Sequence, residues 1–205
     1  VKFQVLKVKN ALSQSEAYNL IEYHLQNKHL RSVGDGSDYR ALNKIHIKLQ
    51  SVRDTLNRLE QTAIGEIKKH SDQTVFTEMC NITEWPIGGV QEPHTDLYSN
   101  HEMRHEIESD GSRAWTAIVY LNTNYRGGRT YFPSSEHNPV TYYHTPEPQE
   151  MILFEGIHLL HGVEPVRGNS RHTVAIWFTT NKHKILTDLI TDDLSLDHIS
   201  IRNQF

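Results

Sequence analysis

The sequence predicts a mainly β protein that opens with helices and continues as an antiparallel sandwich or jelly roll. Three observations carry this. Helical signals are confined to the first third, where a capping box at Ser13–Glu16 is followed downstream by a long apolar stripe. From Thr74 to Thr180, short alternating or continuous apolar runs are separated by Gly, Pro and Asn, the pattern of sheet-forming segments joined by turns. The 205 residues can bury one sizeable core, and neither an internal repeat nor a low-complexity linker divides them.

Taken in order, Phe3 to Val8 alternates like a short strand. Ser13 and Glu16 then open a helix with Tyr18, Leu20, Ile21, His24 and Leu25 near one side. Ser32 to Asp38 is a polar turn. Ala41 to Lys69 reads as one long amphipathic helix, its stripe formed by Leu49, Val52, Leu56, Leu59, Ala63, Ile64 and Ile67, whose role is core packing. Val75 to Ile82 is an apolar strand carrying the only cysteine, Cys80, so no internal disulfide can form and the thiol is expected in the core. Met151 to Val163 is an apolar run broken by Gly156, either two short strands or one bulged strand. Arg171, Thr173, Ala175 and Trp177 alternate with His172, Val174, Ile176 and Phe178, a strand with both faces largely buried. The expected organisation is one domain over 1–205. Within it, 1–72 is a helical support region, 73–182 the jelly-roll core and 183–205 a C-terminal segment that docks or forms an interface.

Four residues in the second half point to chemistry. His94 and Asp96 are separated by one residue, so on a strand or at its end both side chains point to one side. The bend of Trp85-Pro86-Ile87-Gly88-Gly89 leads into them. His161 can supply a third ligand from another strand, and Arg171 follows ten positions later. Two histidines and one carboxylate occupy one face of an octahedral Fe(II) and leave three positions for other ligands and O₂. Buried on a strand, Arg171 needs an anionic partner, and a dicarboxylate ligand or a nearby Glu would serve.

A His-x-Asp triplet alone is weak evidence, since 14 histidines give roughly one by chance. A second, His70-Ser71-Asp72, ends the long helix, where a histidine is favourable beside the C-terminal dipole. His158 is the rival to His161 as third ligand. His101 and His105 could share a helix face, but they stand in a polar insert, Leu97 to Ser112, that reads as a solvated lid over the cavity mouth.

Several stretches together resemble the prolyl 4-hydroxylase-like group of 2-oxoglutarate/Fe(II)-dependent dioxygenases. They are Glu84 to Asp96, Arg113 to Asn122, Gly127 to Pro133, His161 to Val166, and Arg171 to Trp177, in the family's order. The resemblance implies a double-stranded β-helix (jelly-roll) core supported by two or more helices. It implies that His94, Asp96 and His161 ligate iron and that Arg171 pairs with the distal carboxylate of 2-oxoglutarate. Thr130 would add a hydrogen bond there, Trp177 holds the family's aromatic position on the last core strand, and Arg113 stands where relatives place a basic residue near substrate. Relatives commonly carry a Tyr nine residues before the first His to hold the cosubstrate. This chain has Trp85, which can only donate, so Tyr98, Tyr120 or Tyr131 would contribute instead.

The implied activity is hydroxylation of an unactivated C–H bond, with Fe(II), 2-oxoglutarate and O₂ consumed to give succinate and CO₂, and ascorbate as a reductant. The implied substrate is peptidyl proline, of the procollagen-proline type. The same chemistry on a free amino acid or another side chain is the alternative. A nucleic-acid dioxygenase usually shows two Arg separated by five residues after the distal His, whereas Arg167 and Arg171 are separated by three. The net charge of −4 gives no general attraction to nucleic acid. A jelly-roll binding module with a vestigial metal site conflicts with an intact ligand set. No stretch is long or apolar enough to cross a membrane and Val1 onward lacks a signal-peptide core, so a cytoplasmic enzyme is expected.

Overall fold

The computed structural model describes residues 4–33, 39–96, 113–134 and 140–185. The order is β1 (Leu6–Val8), α1 (Gln14–Gln26), β2 (Ser32–Val33), β3 (Arg40–Asn43), α2 (Gln50–His70), β4 (Phe76–Trp85), β5 (Gln91–His94), β6 (Arg113–Tyr120), β7 (Arg126–Gly127), β8 (Thr130–Pro133), β9 (Val140–His144), β10 (Met151–Phe154), β11 (His161–Val163), β12 (Val166–Arg167) and β13 (Arg171–Thr179). A seven-stranded antiparallel sheet runs β1-β10-β6-β13-β4-β3-β2, and a four-stranded sheet runs β5-β11-β8-β9. This is the expected jelly-roll class.

The strand period of two divides the major sheet's side chains between two layers. On the outer face, Cys80 and Ile82 of β4, Ala117 and Val119 of β6, and Val174, Ile176 and Phe178 of β13 form one apolar cluster with the helices. Leu20 of α1 and Leu56, Leu59, Ala63 and Ile67 of α2 belong to it, each no more than 1% exposed. On the inner face, Tyr120 and Ile152 pack with Phe132 and Phe154 toward the minor sheet. The antiparallel register sets Arg171 opposite Trp85 and His172 opposite Glu84. Because paired residues share a face, the first pair faces the space between the sheets and the second faces the helices.

The helix starts and stops follow local chemistry. Ser13 caps α1 by accepting from the Glu16 amide at 3.2 Å, while the Glu16 carboxylate accepts from the Ser13 amide at 2.7 Å. α2 ends at His70, whose ring meets Glu66 one turn back at 3.3 Å, in keeping with a helix-end role for His70-Ser71-Asp72. Cys80 is buried in β4, as expected.

Three expectations are corrected. The helix expected from Ala41 begins only at Gln50. Leu42 is fully buried as the β3 partner of Ile82, and Asn43 caps a short turn by accepting from the Ile45 amide, so sheet pairing overrides the helical period there. Tyr18 is 62% exposed and stands apart from the buried Leu20 and His24. The region expected to be helical support supplies β2 and β3 besides the expected strand β1, and β1 and β2 form the two edges of the major sheet. Phe3, the insert from Leu97 to Ser112 with His101 and His105, and the tail beyond Ile185 lie outside the described residues.

Candidate metal centre and its pocket

β5 and β11 pair so that His94 and His161 are register partners. Pro93 cannot donate to a ladder, but β5 lies at a sheet edge, where this is tolerated. The two rings stand 4.3 Å apart, centroid to centroid. His94 donates Nδ1–H to the Glu92 carbonyl at 3.1 Å, and His161 donates Nδ1–H to the Leu159 carbonyl at 2.9 Å. These bonds place the lone pairs on the Nε2 atoms, the arrangement in which imidazoles bind metals.

Asp96 lies just beyond β5 and is pinned by its amide, which donates to the Gly156 carbonyl at 2.9 Å. Its carboxylate oxygens lie 3.9 Å from His94 Nε2 and 3.6 Å from His161 Nε2. One ligand atom from each of the three residues falls within 4.8 Å of the others. Thr116 of β6 donates its hydroxyl to Asp96 Oδ2, and the Trp177 indole of β13 also bonds to the carboxyl. A side chain at Gly156 would collide with Asp96 Oδ2 and Thr116 Oγ1, so only glycine allows this approach.

The electrostatics favour a metal-ready state. Burial, then the neighbouring His161, pushes His94 down to about 4, leaving it neutral at pH 7 with an Nε2 lone pair that the Gln91 amide N–H meets and a metal would take over. Burial alone would raise Asp96, but His161, His94, Thr116 and Trp177 together hold it below the usual carboxylate range. Gln91 lies 3.2 Å from His94 Nε2 through its amide nitrogen.

Deeper between the sheets lies Arg171, 2% exposed. Its Nη2 donates to Thr130 Oγ1 at 3.2 Å, and Thr130 in turn meets the Tyr120 hydroxyl at 2.8 Å. The guanidinium stands over the rings of Trp85 and Tyr120, 5.7 and 5.3 Å from their centroids. Its Nε has no partner, and no carboxylate among the described residues lies within salt-bridge distance. A buried guanidinium without a counter-anion is costly, so the position suits an anionic ligand. Burial pushes the Tyr120 phenol up to about 12 and raises Tyr125 as well, with Arg171 opposing both, so both remain neutral hydroxyls.

The cavity gathers His94, Asp96, His161, Arg171, Thr130 and Trp177 into one lining, with Trp85 and Tyr39 among the other walls. Tyr120 stands directly behind Thr130. His158 is exposed in the turn after β10, outside the ligand cluster. Tyr131 donates to the Gln91 carbonyl at 3.2 Å. Arg113 is absent from the lining: it is paired with Glu78 through Nε and Nη2 at 3.1 and 2.8 Å and donates to the Asp96 carbonyl. Tyr98 lies outside the described residues. Sequence reasoning missed Thr116, Gly156, Gln91, Tyr39 and Tyr125. The one signal available was Gly156, read as a break in a strand rather than as a clearance for Asp96.

Residues 61–179 match the family model described as the 2OG-Fe(II) oxygenase superfamily. Among curated proteins, prolyl 3-hydroxylase 1 of Rattus norvegicus is 33% identical over 139 residues and that of Homo sapiens 27% over 139 residues. Each match covers 65% of this chain and 17% of the relative, so the chain spans about a sixth of their length. Among solved structures, the viral collagen prolyl hydroxylase vCPH from Paramecium Bursaria Chlorella virus-1 aligns with a TM-score of 0.63 and 18% identity, over 87% of this chain and 96% of that one. A prolyl hydroxylase from Trichoplax adhaerens, in complex with a hypoxia inducible factor oxygen degradation domain peptide fragment, gives 0.65 and 17%, over 88% and 85%. These structural likenesses establish the shared fold.

Proposed function

We propose that this chain, which belongs to the 2OG-Fe(II) oxygenase superfamily, hydroxylates prolyl residues in an extended peptide. The observation that carries the reading is the convergence in one cavity of a two-histidine, one-carboxylate cluster and a buried Arg171 that lacks a counter-anion among the described residues.

The donor set fits the family's metal: two neutral imidazole nitrogens and one carboxylate suit Fe(II) with open positions. The unpartnered Arg171 Nε fits a cosubstrate carboxylate. In this reading His94, Asp96 and His161 hold the iron, and Arg171 anchors 2-oxoglutarate. When bound, iron, 2-oxoglutarate and O₂ supply the oxidation of an unactivated C–H bond, with succinate and CO₂ as coproducts. Ascorbate is the proposed reductant that keeps the metal ferrous.

The protein's own contribution is orientation and exclusion of water. Thr116 and Trp177 hold the Asp96 carboxylate by hydrogen bonds. Thr130 and Tyr120 brace Arg171, and Trp85 covers its face in place of the usual tyrosine. Tyr39 and Trp85, packed with rings 5.0 Å apart, give the cavity an aromatic wall suited to an apolar pyrrolidine. A proline-rich peptide is already stiff and loses less entropy on binding. The curated relatives and the two structural neighbours described above are named as prolyl hydroxylases, which supports this choice.

The test is succinate formation with proline-rich peptides, free proline, other amino acids and oligonucleotides offered in parallel. Stimulation by the peptides, with oxygen from labelled O₂ recovered in a prolyl residue, is expected. Stimulation by free amino acids or oligonucleotides but not by peptides would overturn the substrate assignment.

A further inference from the structure

Behind Arg171, on the opposite face of the major sheet, lies a second cluster. His172 and Glu84 are register partners on β13 and β4, and His24 reaches them from the last turn of α1. The three are 7%, 7% and 0% exposed, respectively, and they interrupt a face that is otherwise apolar. The His24 and His172 rings meet edge-on with centroids 6.1 Å apart. One ligand atom from each of the three residues lies within 4.8 Å of the others.

The hydrogen bonds there are incomplete. A neutral imidazole carries one N–H and one lone pair. His24 donates Nε2–H to the Arg40 carbonyl at 3.2 Å, which leaves the lone pair on Nδ1 without a partner. Among the described residues neither ring nitrogen of His172 has a well-formed partner, the nearest being a main-chain interaction with Ser170 that leaves the other nitrogen open. Two buried imidazoles with unmet bonds destabilise a core position unless something completes them. A histidine that donates one N–H to a main-chain carbonyl and keeps the other nitrogen free has the form of an oriented metal ligand.

We propose that His24, Glu84 and His172 hold a structural divalent cation, Zn²⁺, that ties α1 to the major sheet directly behind the Arg171–Trp85 pair. Zinc binds imidazole nitrogen and carboxylate oxygen, and the three side chains supply three of its four tetrahedral positions, leaving the fourth to a water. Glu84 Oε2 is engaged by Arg31 at 3.0 Å and Arg40 at 3.5 Å. Among the described residues Oε1 accepts only the Ser170 hydroxyl, at 3.2 Å, and keeps capacity for a metal. Burial holds both histidines below their ordinary range, so their lone pairs are available at neutral pH. Arg31 opposes a cation by like charge, so Arg31→Gln should tighten the site.

Metal content decides the matter. Protein produced in zinc-supplemented medium and dialysed should carry one equivalent at the His94–Asp96–His161 cluster and one at the second site. His172→Asn and His24→Gln should each lose one, His161→Ala should lose the other, and His161→Ala with His172→Asn should carry none. In the His161→Ala background, zinc should raise the melting temperature, and His172→Asn should abolish that rise. Equal metal content in wild type and His172→Asn, with no zinc-dependent rise, would overturn the proposal and leave water as the group that completes these bonds. That result would leave the His94–Asp96–His161 reading standing. Loss of metal with His172→Asn but not with His161→Ala would have the opposite meaning.

Discussion

His94 and His161 face each other as register partners across β5 and β11, and each donates its Nδ1–H to a carbonyl two residues earlier in its own chain segment. The pairing fixes where the rings stand, and the carbonyl bonds fix which nitrogen each presents. A one-residue slip of β5 would send His94 to the opposite face of the sheet. The placement of the two histidines is therefore a property of strand register, while Asp96, just beyond β5, is held by its amide bond to Gly156.

Arg171→Met should raise the 2-oxoglutarate KM while sparing Fe(II) affinity. Losing one partner of a buried charge pair costs on the order of 2–5 kcal/mol, a weakening of at least about tenfold. Steady-state kinetics with varied 2-oxoglutarate measures this. An unchanged KM would move the anchor to the exposed Arg167 or Lys182.

Thr116→Val keeps the shape of the side chain but removes the hydroxyl that bonds Asp96 Oδ2. Groups that orient a metal ligand typically contribute about 10–100-fold in metal affinity. Anaerobic Fe(II) titration should show a loss in that range with the far-ultraviolet circular dichroism spectrum unchanged. Full affinity in the variant would mean that Trp177 and the main chain suffice to hold Asp96.

Gly156→Ala should impair iron binding more than folding, because the added Cβ points at Asp96 Oδ2 and Thr116 Oγ1. The expected outcome is weaker Fe(II) binding in a cooperatively melting protein. Wild-type iron affinity would show that Asp96 can retreat without leaving its coordinating position.

Acid should weaken the fold through buried histidines. His144 is fully buried; burial lowers it, Glu150 opposes at 2.9 Å, and Lys7 and Arg171 lower it further. A histidine lowered in the folded state binds its proton more readily once unfolded. Its contribution is therefore intact above the ordinary value of about 6.5 and is lost as pH falls below it. Urea midpoints should fall between pH 7 and 5, and His144→Gln should flatten that slope. An identical slope in the variant would assign the pH dependence elsewhere, with the lowered His24, His94 and His172 as its sources.

Much of the site was legible because its residues announce themselves in one dimension. The i, i+2 spacing of His94 and Asp96, and the alternation from Arg171 to Trp177, translate directly into shared faces of strands. The choice of His161 over His158 rests on the Gly162-Val163-Glu164-Pro165-Val166 context that follows His161, and the turn after β10 leaves His158 exposed. Thr116 looks like any strand threonine until β6 is laid beside β13, and Arg113 finds Glu78 across 35 positions. Such pairings come from sheet order, which no local pattern encodes. The helix expected from Ala41 failed because Leu42 fits either period, and burial against Ile82 decided it.

The most direct test of the account is an anaerobic titration of the purified protein with Fe(II) and 2-oxoglutarate, followed in the visible region. The account predicts a weak charge-transfer band in the wild type and in His158→Ala. The band should be absent from His94→Ala, Asp96→Ala and His161→Ala, and in Arg171→Met it should appear only at higher 2-oxoglutarate. A normal band in His161→Ala together with its loss in His158→Ala would contradict the assignment of the third ligand, and with it the site as described.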